Sequence, residues 1–123
     1  MGLDMYATSF IANAAQPQTD FQLSGSDREI FYWRKHPNLH GWMRALYICK
    51  GGQDADFNCA TVLVTSDDLD RLEHALNANQ LPQTSGFFFG ESSPDDLNHD
   101  REFIALARAE IANGNAIAYH AWW

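Results

Sequence analysis

The chain is short of the features that would commit it to a particular chemistry. No run approaches the roughly 20 apolar residues of a membrane-spanning helix. The opening MGLDMYATSF has no basic flank ahead of an apolar core, so no secretory signal is expected, and Tyr6 stands where a myristoylation motif wants Ser or Thr. There are only two cysteines, Cys49 and Cys59, and neither has metal-site spacing, so two reduced thiols and no metal are expected. His36 and His40 are four apart, but Pro37 should hold His36 off any helix that carries His40. No G-x-S-x-G elbow is present, and Gly86 and Gly90 bracket phenylalanines instead of forming a phosphate-binding loop, so no cofactor is expected. Basic residues are scarce, eight against sixteen acidic, and the net charge of −8 argues against direct nucleic-acid binding.

What is present is an ordinary globular composition, 46% hydrophobic and 20% charged, which is enough for one folded domain in 123 residues. Sixteen aromatics exceed what such a core needs, so some should reach the surface. The chain centres on Ile30 to Cys49, IFYWRKHPNLHGWMRALYIC. Residues 28 to 50 hold Arg28, Arg34, Lys35, Arg44 and Lys50 against Glu29 alone, while the rest holds three basic and fifteen acidic residues. An acidic protein thus carries one basic island.

Residues 3 to 11 read as a strand and 12 to 27 as a loop. An extended aromatic segment over 29 to 35 leads to Pro37, which can open a helix. Leu39, Trp42, Met43, Leu46 and Tyr47 form its apolar face, and Lys50-Gly51-Gly52 ends it. FNCATVLV, 57 to 64, suits a central strand. Thr65-Ser66-Asp67-Asp68 is the clearest helix start, with Leu69, Leu72 and Leu76 as its buried stripe. Phe87 to Phe89 suggest a short strand. Ser93-Pro94-Asp95-Asp96 starts a further helix with Leu97, Ile104, Ala107 and Ile111 on one side, stopped at Asn113-Gly114. AIAYHAWW, 116 to 123, reads as another strand. These elements predict one α+β domain over 1–123: a two-layer sandwich of about three helices on a small, mostly antiparallel sheet.

Strand alternation would place Trp33 and Lys35 on one face and Arg34 on the other, setting a cation beside an aromatic ring. With His40 near by, Trp33, Arg34 and Lys35 are candidates for receiving an anion, a nucleotide base or a protein partner. The opposing reading makes Trp33 core, with Arg34 anchoring an internal carboxylate such as Asp4. Phe88 is the one candidate of its triplet for outward display, although core burial is the simpler expectation. His74 and His99 should be solvated on helix exteriors, and His120 structural. Asp67, Asp68, Asp70, Asp95 and Asp96 are acidic-face candidates, though helix capping also accounts for them.

LDMY, YWRK, HGWM, LPQTSGFFFG and YHAWW, in that order, resemble a family of small uncharacterised proteins of bacteriophages and prophages, some labelled phosphoglycerate kinase, a label with no support in these residues. The resemblance covers nearly the whole chain. It implies a phage or prophage origin and a cytoplasmic location in the host cell, and no assigned chemistry. The chain departs from the pattern in its short 12-to-27 segment and in His36-Pro37 after YWRK, so the resemblance gives His36 no role.

The function expected from these features is a non-enzymatic accessory protein that binds a host protein complex such as a defence system, with inhibition as one form of that role. The alternative is a small enzyme or nucleotide- or anion-binding domain built on Trp33, Arg34, Lys35 and His40, in which Arg34 and His40 would converge in a pocket. A homodimer anchored by Trp122 or Trp123 is a third reading.

Overall fold

A computed structural model defines the fold and describes residues 2–12, 15–23, 27–84 and 92–123. In chain order the elements are β1 (Asp4–Phe10), β2 (Arg28–Arg34), α1 (Pro37–Cys49), β3 (Thr61–Val64), α2 (Ser66–Asn77), α3 (Asp96–Ala112) and β4 (Ala116–Trp122). The four strands form one antiparallel sheet in the order β2-β1-β4-β3. This is the expected α+β arrangement. Among the described residues, no helix is long and apolar enough to cross a membrane.

Strand alternation sorts the side chains. Met5, Ala7, Trp33, Val62, Val64, Ile117, Tyr119 and Ala121 turn to the inner face, where they join Leu39, Met43 and Tyr47 of α1, Leu69 and Leu72 of α2, and Phe103, Ile104 and Ala107 of α3 in one buried cluster. The other set of side chains, which includes Tyr6, Tyr32, His120 and Trp122, points away from the helices. Consecutive Ala7 and Thr8 pair with Phe31 and Glu29, so the skipped Ile30 marks a bulge in β2 against β1.

Helix starts follow the sequence grammar unevenly. At α2 the Thr65 hydroxyl accepts from the Asp68 N–H at 3.3 Å, and Asp68 accepts from the Thr65 N–H at 2.9 Å, a reciprocal capping box. At α1, Pro37 opens the helix behind a non-helical His36 (φ −113, ψ 72), as proline requires. At α3 the expected start at Ser93-Pro94 does not continue into the helix. Those residues form a turn whose Ser93 N–H donates to Asp96, and the helix begins at Asp96.

Three further expectations change. The strand expected over 57 to 64 is confined to Thr61–Val64, because Phe57 (φ 50) and Cys59 (φ 66) adopt left-handed backbone that interrupts a regular ladder, leaving a single bond from the Cys59 N–H to the Ala121 carbonyl. Leu97, expected in the buried stripe of α3, is 39% exposed, and its place in the stripe falls to Asp100 and Phe103. Lys35 does not extend the alternation of β2: with φ 56 it ends the strand, and its N–H donates to the Leu3 carbonyl. The strand expected over 87–89, with Phe88, lies outside the described residues.

Candidate functional site

Two places in the fold gather functional side chains, one on each side of the sheet. The outer face carries a row of rings placed by register: Tyr6 lies opposite Tyr32 on β2 and opposite His120 on β4, while Asp4 lies between Arg34 and Trp122. Tyr6 and His120 stack with centroids 5.1 Å apart, and Tyr6 and Tyr32 tilt together at 5.3 Å. The Trp122 indole N–H donates to the Tyr6 hydroxyl at 3.3 Å, and the Tyr32 hydroxyl donates to Asp4 at 2.6 Å. That bond to a carboxylate holds the Tyr32 phenol up at about 12. Burial lowers the His120 imidazole, so the neutral ring is favoured in the stack. Tyr32 and Trp122 remain 45% and 48% exposed.

The second place lies where the end of β2 meets the starts of α1 and α3. The Trp33 indole N–H donates to one oxygen of Asp100 at 3.1 Å, and the other oxygen lies 2.8 Å from His36 Nε2. His36 Nδ1 is 2.7 Å from Ser92 Oγ and 3.5 Å from Asp96. Ser92 Oγ also accepts from the Asn38 backbone N–H at 3.1 Å, satisfying a donor in the first turn of α1. Asp100 is fully buried. Burial pushes its carboxyl up, against the opposing pull of His36 and of the Trp33 N–H. His36, Asn38, Ser92, Asp96 and Asp100 line a cavity of about 430 Å³ between α1, α2 and α3.

The anticipated site residues are dispersed. Trp33 is core, 3% exposed, with its ring 4.9 Å from that of Phe103. Of its two readings this is the buried one, but the tether is Trp33 to Asp100, and Asp4 pairs with Tyr32 instead of Arg34. Arg34 is exposed beside the outer rings, and Lys35 is exposed at the strand end. His40 is buried on the other side of the sheet, with Nδ1 2.7 Å from the Tyr119 hydroxyl and its ring stacked on Phe57. Burial, with Arg44 adding to it, lowers the His40 imidazole to about 4, so the buried ring is neutral. Arg34 and His40 therefore do not converge, and the surface imagined for an enzyme built on them does not form.

The acidic candidates do not make one face either. Asp68 is buried: burial opposes its ionisation, but Lys50 and the Thr65 N–H overcome that and hold it below the usual carboxylate range. Asp96 turns in to cap Ser93 and face His36. Asp70 pairs with Arg108 at 2.7 Å, and Asp67 and Asp95 are exposed. Lys50 and Arg28 of the basic island are likewise paired, with Asp68 and Glu110. His74 and His99 are exposed, and both cysteines are free thiols at the surface. Among the described residues, no three His, Cys, Asp or Glu are grouped to hold a metal ion.

The sequence pointed to His36 only beside His40 and did not single out Ser92 or Asp100, which the fold brings to it from 56 and 64 residues away. The one local signal was a polar Asp100 standing where an apolar residue belongs on the buried side of α3. No protein-family model matches the chain, and neither a curated protein nor a solved structure matches it.

Proposed function

We propose that the protein acts by binding a partner protein through the outer face of its sheet. The observation that carries this reading is the ring row Tyr6, Tyr32, His120 and Trp122, held by ring contacts, by the Trp122–Tyr6 hydrogen bond and by the bond of Tyr32 to Asp4, yet left open on the side away from the helices. A solvated sheet face is normally polar at such positions. Tyrosine, tryptophan and arginine are the residues that anchor protein interfaces, and rings already fixed by hydrogen bonds lose little entropy on docking. Arg34 flanks the row, and the net charge of −8 favours a protein over a nucleic acid on this surface.

The likeness to bacteriophage and prophage proteins supports a host protein in the cytoplasm as the partner, and inhibition of a host complex such as a defence system is the role we assign to an accessory protein of that origin. A row of aromatics suits an interface core better than the acidic helices do, because Asp68, Asp70 and Asp96 are engaged within the fold. The test is capture by the immobilised protein, compared with Tyr32→Ser/Trp122→Ser and Asp67→Lys variants. A partner kept by the Asp67 variant and lost by the double variant supports the face. Capture indifferent to the double variant would overturn it. Sedimentation should give a monomer, and a dimer dissolved by Trp122→Ser would assign the face to a second copy instead.

A further inference from the structure

The polar cluster on the inner side has a directionality that capping alone does not require. If Ser92 donates to His36 Nδ1, then His36 is protonated at Nε2 and donates to Asp100, whose second oxygen takes the Trp33 indole N–H. The Asn38 N–H, at the start of a 13-residue helix, then points at the Ser92 oxygen. In this arrangement each of these contacts pairs a donor with an acceptor, and it runs hydroxyl, imidazole, buried carboxylate. That is the order in which a serine is activated for attack, with the two imidazole nitrogens used in the opposite sense from the familiar proteases.

We propose that Ser92, His36 and Asp100 form an acyl-transfer site that hydrolyses small carboxylic esters in the adjoining cavity. Ser92 Oγ bonds to the ester carbonyl carbon while its proton passes to His36 Nδ1. The carbon–oxygen bond to the alcohol then breaks, and His36 returns the proton to the departing alkoxide. A water, deprotonated by His36, hydrolyses the acyl-serine, releasing the carboxylic acid and restoring the serine proton. Asp100 fixes the ring and Asp96, 3.5 Å from Nδ1, faces the imidazolium as it forms. Trp33 is a positioning residue: it holds Asp100 without reaching the reacting atoms. A cavity of about 430 Å³ admits a short acyl chain and a small alcohol. This site is independent of the outer sheet face.

The same bonds also fasten β2 to α3, so the test must read reactivity and not stability. The intact protein is treated with a fluorophosphonate, and adducts are located by peptide mass spectrometry. Ser93, which lines the same cavity without a bond to His36, is the internal control. Ser92 is expected to label about 100-fold faster than Ser93, the smaller end of what a positioned base contributes. Hydrolysis of p-nitrophenyl acetate should disappear in Ser92→Ala and persist in Ser93→Ala. Equal labelling of the two serines, or hydrolysis that survives Ser92→Ala, would overturn the proposal. Asp100→Asn, kept only if its circular dichroism matches the native protein, should lower the labelling rate of Ser92 and leave that of Ser93 unchanged. Equal rates at Ser92 in native and variant protein would remove Asp100 from the site.

Discussion

The two faces of the sheet are both aromatic, and they alternate residue by residue along the same strands. Tyr32 is followed by Trp33, and His120 is preceded by Tyr119, yet each pair divides between opposite environments. Residue type does not separate the faces. What separates them is where the polar end of each ring goes. On the inner side, the Trp33 N–H and the Tyr119 hydroxyl meet Asp100 and His40, groups taken wholly out of water. On the outer side, Trp122 and Tyr32 meet Tyr6 and Asp4, which keep contact with solvent. Inner rings carry cohesion, because losing one strands a buried polar group as well as opening a void. Outer rings can be removed at little cost to the fold, and that freedom suits them to contact.

The sharpest break in this comparison is Trp33→Ala, which leaves a cavity and an unpaired oxygen on Asp100. Chemical denaturation should show a loss of about 3–5 kcal/mol. An effect below about 1 kcal/mol would mean that the inner network is not cohesive.

Acidification probes the same side. The folded His40 imidazole lies at about 4, below the 6.5 of the free side chain, so between those values the unfolded chain binds more protons. Stability from this group is complete above 6.5 and is lost as the pH falls toward 4, by about 3 kcal/mol in all. His120, also lowered by burial, acts in the same direction. Urea midpoints measured from pH 7 down to 4.5 should decline, and His40→Gln should flatten the decline more than His120→Gln does.

Away from either face, Thr65→Ala removes one half of the capping box of α2 and should cost about 1 kcal/mol in a thermal melt. The smallest effect is expected for Trp122→Ser on the outer face: under about 0.5 kcal/mol of stability, with partner capture lost. A large loss of stability there would place Trp122 among the cohesive rings and deprive the outer face of its special standing.

Much of the architecture was legible because it is written locally. Pro37, the Thr65–Asp68 box and the Leu69, Leu72, Leu76 stripe each determine their own surroundings, and each is found where the residues put it. Phe57 and Cys59 were not legible, since β-branched neighbours announce a strand while a left-handed backbone at two ordinary residues has no sequence mark. The outer face was half visible. Excess aromatics announced surface rings, but which members of YWRK and YHAWW emerge depends on register with β1. The inner cluster was invisible for a plainer reason. His36, Ser92 and Asp100 belong to separate segments, and proline beside His36 spoke only of its backbone. The acidic residues misled because helix capping and surface display use the same side chains, and only Asp68 and Asp96 in place show which task each performs.

The sheet order also fixes when this protein can come into being. β4 lies between β1 and β3, so both depend for their inner hydrogen bonds on residues 116 to 122. Asp4 finds its neighbour Trp122 only across almost the whole length of the chain. During synthesis the β1–β2 hairpin and helices α1 to α3 emerge as parts with no central strand to lean on, their apolar faces open. Closure of the sheet therefore depends on β4, which pairs with β1 along one edge and with β3 along the other.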